Sequence, residues 1–93
     1  MSQSHFFYDT KAPGNSAFGT GWIYLPFGFL CRSFIILVPW ADNTDDFFYS
    51  WDGQIIAGRI QVSMQAINLS NKRSTGIYLK SNSGTQNAMI TAY

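Results

Sequence analysis

One histidine, one cysteine and five aspartates are the residues of this chain best equipped for chemistry, and glutamate is absent. His5 lies in the N-terminal stretch, where the third group that a Ser-His-Asp or Cys-His system needs to orient its base is rarely built. A catalytic role for it is not expected. Cys31 stands between Leu30 and Arg32, ahead of the most apolar segment, and reads as a buried structural thiol. With no second cysteine an intramolecular disulfide is impossible, so packing must hold the fold, and a reducing compartment fits best. Asp42, Asp45 and Asp46, with Asn43 beside them and Asp52 a few residues on, have the right atoms for Ca²⁺ but not the spaced pattern of an EF-hand loop. Between two apolar segments these residue types also supply what turns require, so a solvated turn is expected there and no metal or other cofactor. Glycines punctuate residues 14–21, but no lysine follows in P-loop position and no helix pattern begins there. This supply of groups predicts a protein that is not an enzyme.

Six basic and five acidic side chains leave a formal charge of +1, too little to draw a polyanion to the surface by electrostatics alone. Lys72-Arg73 is the one adjacent basic pair and reads as part of a solvated loop. No nucleic-acid partner is expected. Nor is a membrane partner: the longest apolar run, residues 34–40, contains Pro39 and is far shorter than the 18 or so residues a spanning helix needs.

The remaining excess is aromatic: eight Phe, five Tyr and three Trp in 93 residues. A core of this size cannot easily hide them all. Tyr and Trp join an apolar body to a hydrogen-bonding tip, which suits protein interfaces and also platforms on which sugar rings stack. Phe6-Phe7-Tyr8 precedes the patterned region, and an aromatic arm is costly to leave in water unless it packs on its own domain or a neighbour.

The elements that must position these residues are strands. Leucine is scarce, glutamate is missing, and Gly, Ser, Thr, Asn and aromatics abound, so helix formers are lacking where a helix would need them. Residues 33–38 are almost continuously apolar, as in a central strand covered on both faces. In residues 47–51, Phe47, Tyr49 and Trp51 point one way and Phe48 and Ser50 the other. Asp52-Gly53 predicts a tight hairpin with 54–57 as the return strand. Residues 60–68 carry Ile60, Val62, Met64 and Ala66 at spacing two. Segments 75–80 and 87–93, around the turn at 81–84, predict a terminal hairpin, with Ala88, Ile90 and Ala92 on one face. With 22–25 added, about seven strands follow. The fold expected is all-β: a single antiparallel β-sandwich or jelly-roll-like domain over 22–93, with 1–21 as an irregular N-terminal arm of the same unit.

The segment FFYSWDGQIIAG at 47–58 and the closing IYLKSNSGTQNAMITAY at 77–93 resemble the small β-sandwich structural proteins of tailed bacteriophage virions. In those an aromatic strand enters an S-x-D-G hairpin and the chain ends in a strand pair with an Ala-aromatic terminus. Arg32 to Leu37, RSFIIL, fits the same pattern, and the likeness covers about two thirds of the chain; the arm at 1–21 has no counterpart. The resemblance implies a non-enzymatic virion part, of the capsid-decoration, head-fibre or tail and collar type, assembled in the host bacterial cytoplasm. It implies self-association, as a trimer or larger, and contact with a major capsid, connector or tail protein. Phe6, Phe7, Tyr8, Trp22, Trp40 and Tyr93 are the interface residues this reading selects. The alternative is a carbohydrate- or receptor-binding module in which Trp40 or Trp51 and Tyr49 stack on sugar rings while Asp42, Asp45 or Asp46 bond hydroxyls.

Overall fold

The computed structural model describes residues 5–38, 45–61, 66–69 and 73–93. Among them eight strands and no helix are found: β1 (Phe6–Asp9), β2 (Ile23–Cys31), β3 (Phe34–Leu37), β4 (Phe47–Ser50), β5 (Gly58–Ile60), β6 (Ala66–Leu69), β7 (Ser74–Ser81) and β8 (Met89–Ala92). β1 pairs with β8, β2 with β7, β3 with β6 and β4 with β5, all antiparallel. The chain is thus one long hairpin with β4 and β5 at its tip. Rolling that hairpin up sets β3 beside β8 and β4 beside β7. The result is two four-stranded sheets, ordered β1-β8-β3-β6 and β2-β7-β4-β5, which is the jelly-roll form of the β-sandwich.

The core follows from strand alternation. The first sheet turns Ile90, Ala92, Phe34 and Ile36 inward, and the second turns Leu25, Phe27, Ile77, Leu79, Phe47 and Ile60 to meet them, all of these buried. Rings cross the gap: Phe6 meets Phe27 at 5.2 Å between centroids, and Phe34 meets Trp51 edge-on at 5.6 Å. Phe18, outside any strand, closes one end against Phe47 at 5.8 Å and is tied to Gln86 by reciprocal backbone hydrogen bonds.

Several local expectations change. The N-terminal segment is not irregular throughout, because Phe6–Asp9 forms the edge strand of the first sheet in register with β8. The tight Asp52-Gly53 hairpin does not form, and 54–57 is not its return strand. Gly53 does take the positive φ of 77° expected of it, but the Asp52 carboxylate accepts the N–H groups of Gln54 and Ile55. Those donors are thereby removed from any ladder, and pairing resumes only at Tyr49 opposite Gly58. β7 and β8 lie in different sheets, so the expected terminal hairpin is instead a crossing between layers. β3 is central in its sheet, yet only one of its faces is covered: Leu37 is exposed, since a two-layer sandwich leaves each outer face open. The spacing-two pattern of 60–68 is divided as well. Ile60 ends β5 in one sheet and Ala66 opens β6 in the other, where Ile67 rather than Ala66 turns toward the core; Val62 and Met64 lie outside the described residues. β2 is longer than residues 22–25 suggest. Pro26 is tolerated because β2 is an edge strand, and Gly28, at φ 85°, sits where the register with β7 shifts.

Candidate functional site

The outer face of the first sheet is built from two cross-strand rows. One runs Phe7, Thr91, Ile35, Asn68 and the other Asp9, Met89, Leu37, Ala66. Asp9 is the one charged side chain in these rows, and its carboxylate accepts the backbone N–H of Lys11 at the rim. Phe7 is 55% exposed on this face, whereas Phe6 and Tyr8, its neighbours in β1, turn inward and pack on the core. Of the three aromatic residues in the run Phe6-Phe7-Tyr8 only Phe7 therefore presents an open surface. Tyr93 has an exposed side chain at the end of the same sheet, and its backbone is held by hydrogen bonds to Arg32 and Ser33.

The outer face of the second sheet has a different chemistry. Tyr24 on β2 stands opposite Tyr78 on β7, with ring centroids 4.7 Å apart. Lys80 stands opposite Phe48 on β4, its ammonium 5.9 Å from the Phe48 ring and 4.7 Å from that of Trp22. Two glycines seat the tyrosines. A Cβ on Gly76 would run into the Tyr24 ring, and one on Gly53 would meet the ring of Tyr78, so both rings lie across bare backbone, the arrangement by which aromatics cover glycines in sheets. Trp22 thus belongs to this face rather than to the Phe7 surface. Tyr24, Phe48, Tyr78 and Lys80 were not selected by sequence reasoning. The signal available was the spacing-two series Trp22-Tyr24 and Tyr78-Lys80, which becomes a cluster only once β2 pairs with β7.

Within the described part of the acidic cluster, Asp45 and Asp46 form a structural clasp rather than the expected solvated turn, since Asp46 is buried. Asp45 accepts hydrogen bonds from the Asn82 amide at 3.0 Å and the Ser83 hydroxyl at 2.6 Å, and its other oxygen accepts the N–H of Asp46 at 2.7 Å. The Ser83 hydroxyl, then the Asp46 N–H, hold the Asp45 carboxyl below its ordinary range. Asp46 is buried and forms an ion pair with Arg59 across the β4–β5 pair. Gln86, fully buried, accepts the Asp45 N–H at 2.7 Å and donates to the Asp46 carbonyl at 3.0 Å and to the Ser81 hydroxyl at 2.7 Å. Tyr49 is turned inward over Gly58. Asp45, Asp46 and Tyr49 therefore do not form a shared open platform; Trp40 and Asp42 lie outside the described residues.

Residues 50–57 make an apolar tip. Ser50 donates its hydroxyl proton to Asp52 at 2.9 Å and accepts the N–H of Gly53 at 3.0 Å. The N–H groups of Ile55 and Gln54, followed by the Ser50 hydroxyl, lower the Asp52 carboxyl below its usual range. Ile55, 73% exposed, joins Trp51, Asp52 and Ala57 around a cleft of about 300 Å³.

His5 is exposed at the start of β1, and Cys31 is buried. Among the described residues no group of three or more His, Cys, Asp or Glu is placed to hold a metal ion, and no helix is long and apolar enough to cross a membrane. Comparison with protein-family models, with curated proteins and with solved structures gives no match to this chain. What the arrangement offers chemically is contact surface: one outer face that is apolar and nearly uncharged, and one that is aromatic with a cation set among its rings.

Proposed function

We propose that this chain is a non-enzymatic virion structural protein that self-associates and decorates or stabilises a phage capsid or connector. The observation that carries the reading is the outer face of the first sheet, where Phe7, Ile35, Leu37 and Met89 are spread over three adjacent strands with a single charge at the rim. Four strands about 4.8 Å apart and four residues long give a patch of a few hundred Å², the scale at which apolar patches on soluble proteins carry function. The flank bearing Tyr93 extends it toward the roughly 800 Å² per partner of a standard interface. Because the face is nearly uncharged, a second copy meets it without desolvating paired ions. On a lattice, many identical weak contacts add up by avidity. The jelly-roll topology is one that viral capsid domains share, which supports the reading by analogy of fold.

Light scattering on the purified chain tests self-association. A mass of at least three times 10.5 kDa is expected, falling to the monomer in Leu37→Lys with an unchanged circular dichroism spectrum. A monomeric wild-type chain overturns it. The capsid or connector location is tested by labelling purified particles with an antibody to this chain and viewing them by electron microscopy; unlabelled particles refute it.

A further inference from the structure

The two outer faces are not equivalent, and self-association through the first leaves the second uncovered. Among the described residues, the two cations that β7 and β5 place on the second face are already engaged. Lys80 lies over Trp22 and Phe48, and Arg59 is paired with Asp46. A polyphosphate chain needs several cations free to replace its counterions, and neither these two nor the formal charge of +1 supplies them. Tyr24, by contrast, is 45% exposed, with its ring seated on Gly76 and its neighbour Tyr78 seated on Gly53. Rings held in this way present apolar surface edged by phenolic hydroxyls without a further loss of side-chain freedom on binding. A partner that matches is rigid, apolar on its flat side, rich in hydroxyls at its edge and uncharged.

We propose that the outer face of the β2-β7-β4-β5 sheet binds a neutral hexose-based glycan. The axial C–H face of one sugar ring stacks on the exposed Tyr24 ring, while Tyr78, tilted 40° to it, flanks the sugar's edge, and the hydroxyls bond the phenols. The Trp22–Lys80–Phe48 cluster lies about 7 Å further along β7, two residues on, and receives a neighbouring ring of the same chain. There the Lys80 ammonium, held in place by the two aromatic faces, donates to a ring hydroxyl. No residue of the Asp45–Asp46 clasp takes part.

Native affinity electrophoresis through gels containing soluble starch, laminarin, galactomannan or dextran, followed by tryptophan fluorescence titration with the polymer that retards the protein, tests this. Retardation by at least one of the four is expected. Tyr24→Ala weakens it about fivefold to tenfold, and Tyr24→Trp, which keeps the stacking surface, retains it. Phe7→Ala, on the opposite face, leaves it unchanged. Wild-type mobility unaltered by all four polymers overturns the proposal, as does retardation as strong in Tyr24→Ala as in wild type or tighter binding of an oligothymidylate. The light-scattering mass of Tyr24→Ala stays that of wild type, so the glycan face and the self-association face fail or stand separately.

Discussion

Asp45 and Asp52 are held ionised by groups that donate to them: for Asp45 the Ser83 hydroxyl first, for Asp52 the N–H groups of Ile55 and Gln54. An unfolded aspartate titrates near 3.9, and both folded values lie lower. The linkage sign follows: the folded state binds fewer protons, so these carboxylates stabilise it fully above about pH 4, and that contribution is lost as the pH falls through their folded values. A thermal midpoint that is level from neutral pH down to about 4.5 and then declines is expected. Asp45→Asn combined with Asp52→Asn lowers the neutral midpoint and flattens the acid decline. An acid limb as steep as wild type would assign it to other groups. The acidic pair Asp45-Asp46 was readable from sequence as a set of hydrogen-bond acceptors. Its partners were not: Gln86, an unremarked polar residue forty positions away, becomes a fully buried hub that bonds Asp45, Asp46 and Ser81 at once.

At the scale of elements, β1 decides how the N-terminal segment should be tested. Phe6 and Tyr8 meet Phe27 and Phe18 at ring-centroid distances of 5.2 and 6.0 Å, and β1 covers the edge of β8. Deleting residues 1–9 therefore removes two core aromatics as well as one exposed ring. A loss of about 3–6 kcal/mol in urea unfolding is expected, a large part of the 5–15 kcal/mol typical of a domain. Phe7→Ala, facing outward, stays within about 0.5 kcal/mol of wild type. If the deletion proves as mild as the point variant, β1 is not part of the stable sandwich. The aromatic run was visible in the sequence, but with no second strand adjacent in the chain its period-two pattern lacked a partner. That partner, β8, is supplied by the other end of the molecule.

For the whole molecule, the folded surface of 5352 Å² agrees with the roughly 5,400 Å² expected of a closed monomer of this mass. Phe7, Leu37, Tyr24 and Ile55 thus lie outside a completed sandwich, which is why they are surplus to folding and available for contact. Topology also sets the folding speed. The first strand pairs with the last, Phe6 opposite Ala92, and the second with the seventh, so most of the chain must be looped before either pair forms. Refolding in milliseconds to seconds is expected, followed by stopped-flow fluorescence of Trp51 on Phe34. Completion within microseconds would mean that the long-range pairs are not the slow step.

What the residues alone determined is local in origin. Side-chain branching, the shortage of helix formers and alternation at period two require strands, and they sort the side chains of β4 and β8 onto two faces because each side of a strand is written in alternate residues. One cysteine excludes an internal disulfide in the same direct way. Which strands become neighbours was decided only by the tertiary fold. Backbone hydrogen bonding between strands is nearly independent of sequence, so the split of β7 and β8 between layers, the capture of β1 by β8 and the meeting of Trp22, Tyr24, Phe48, Tyr78 and Lys80 on one face follow from how the long hairpin rolls to bury its apolar side.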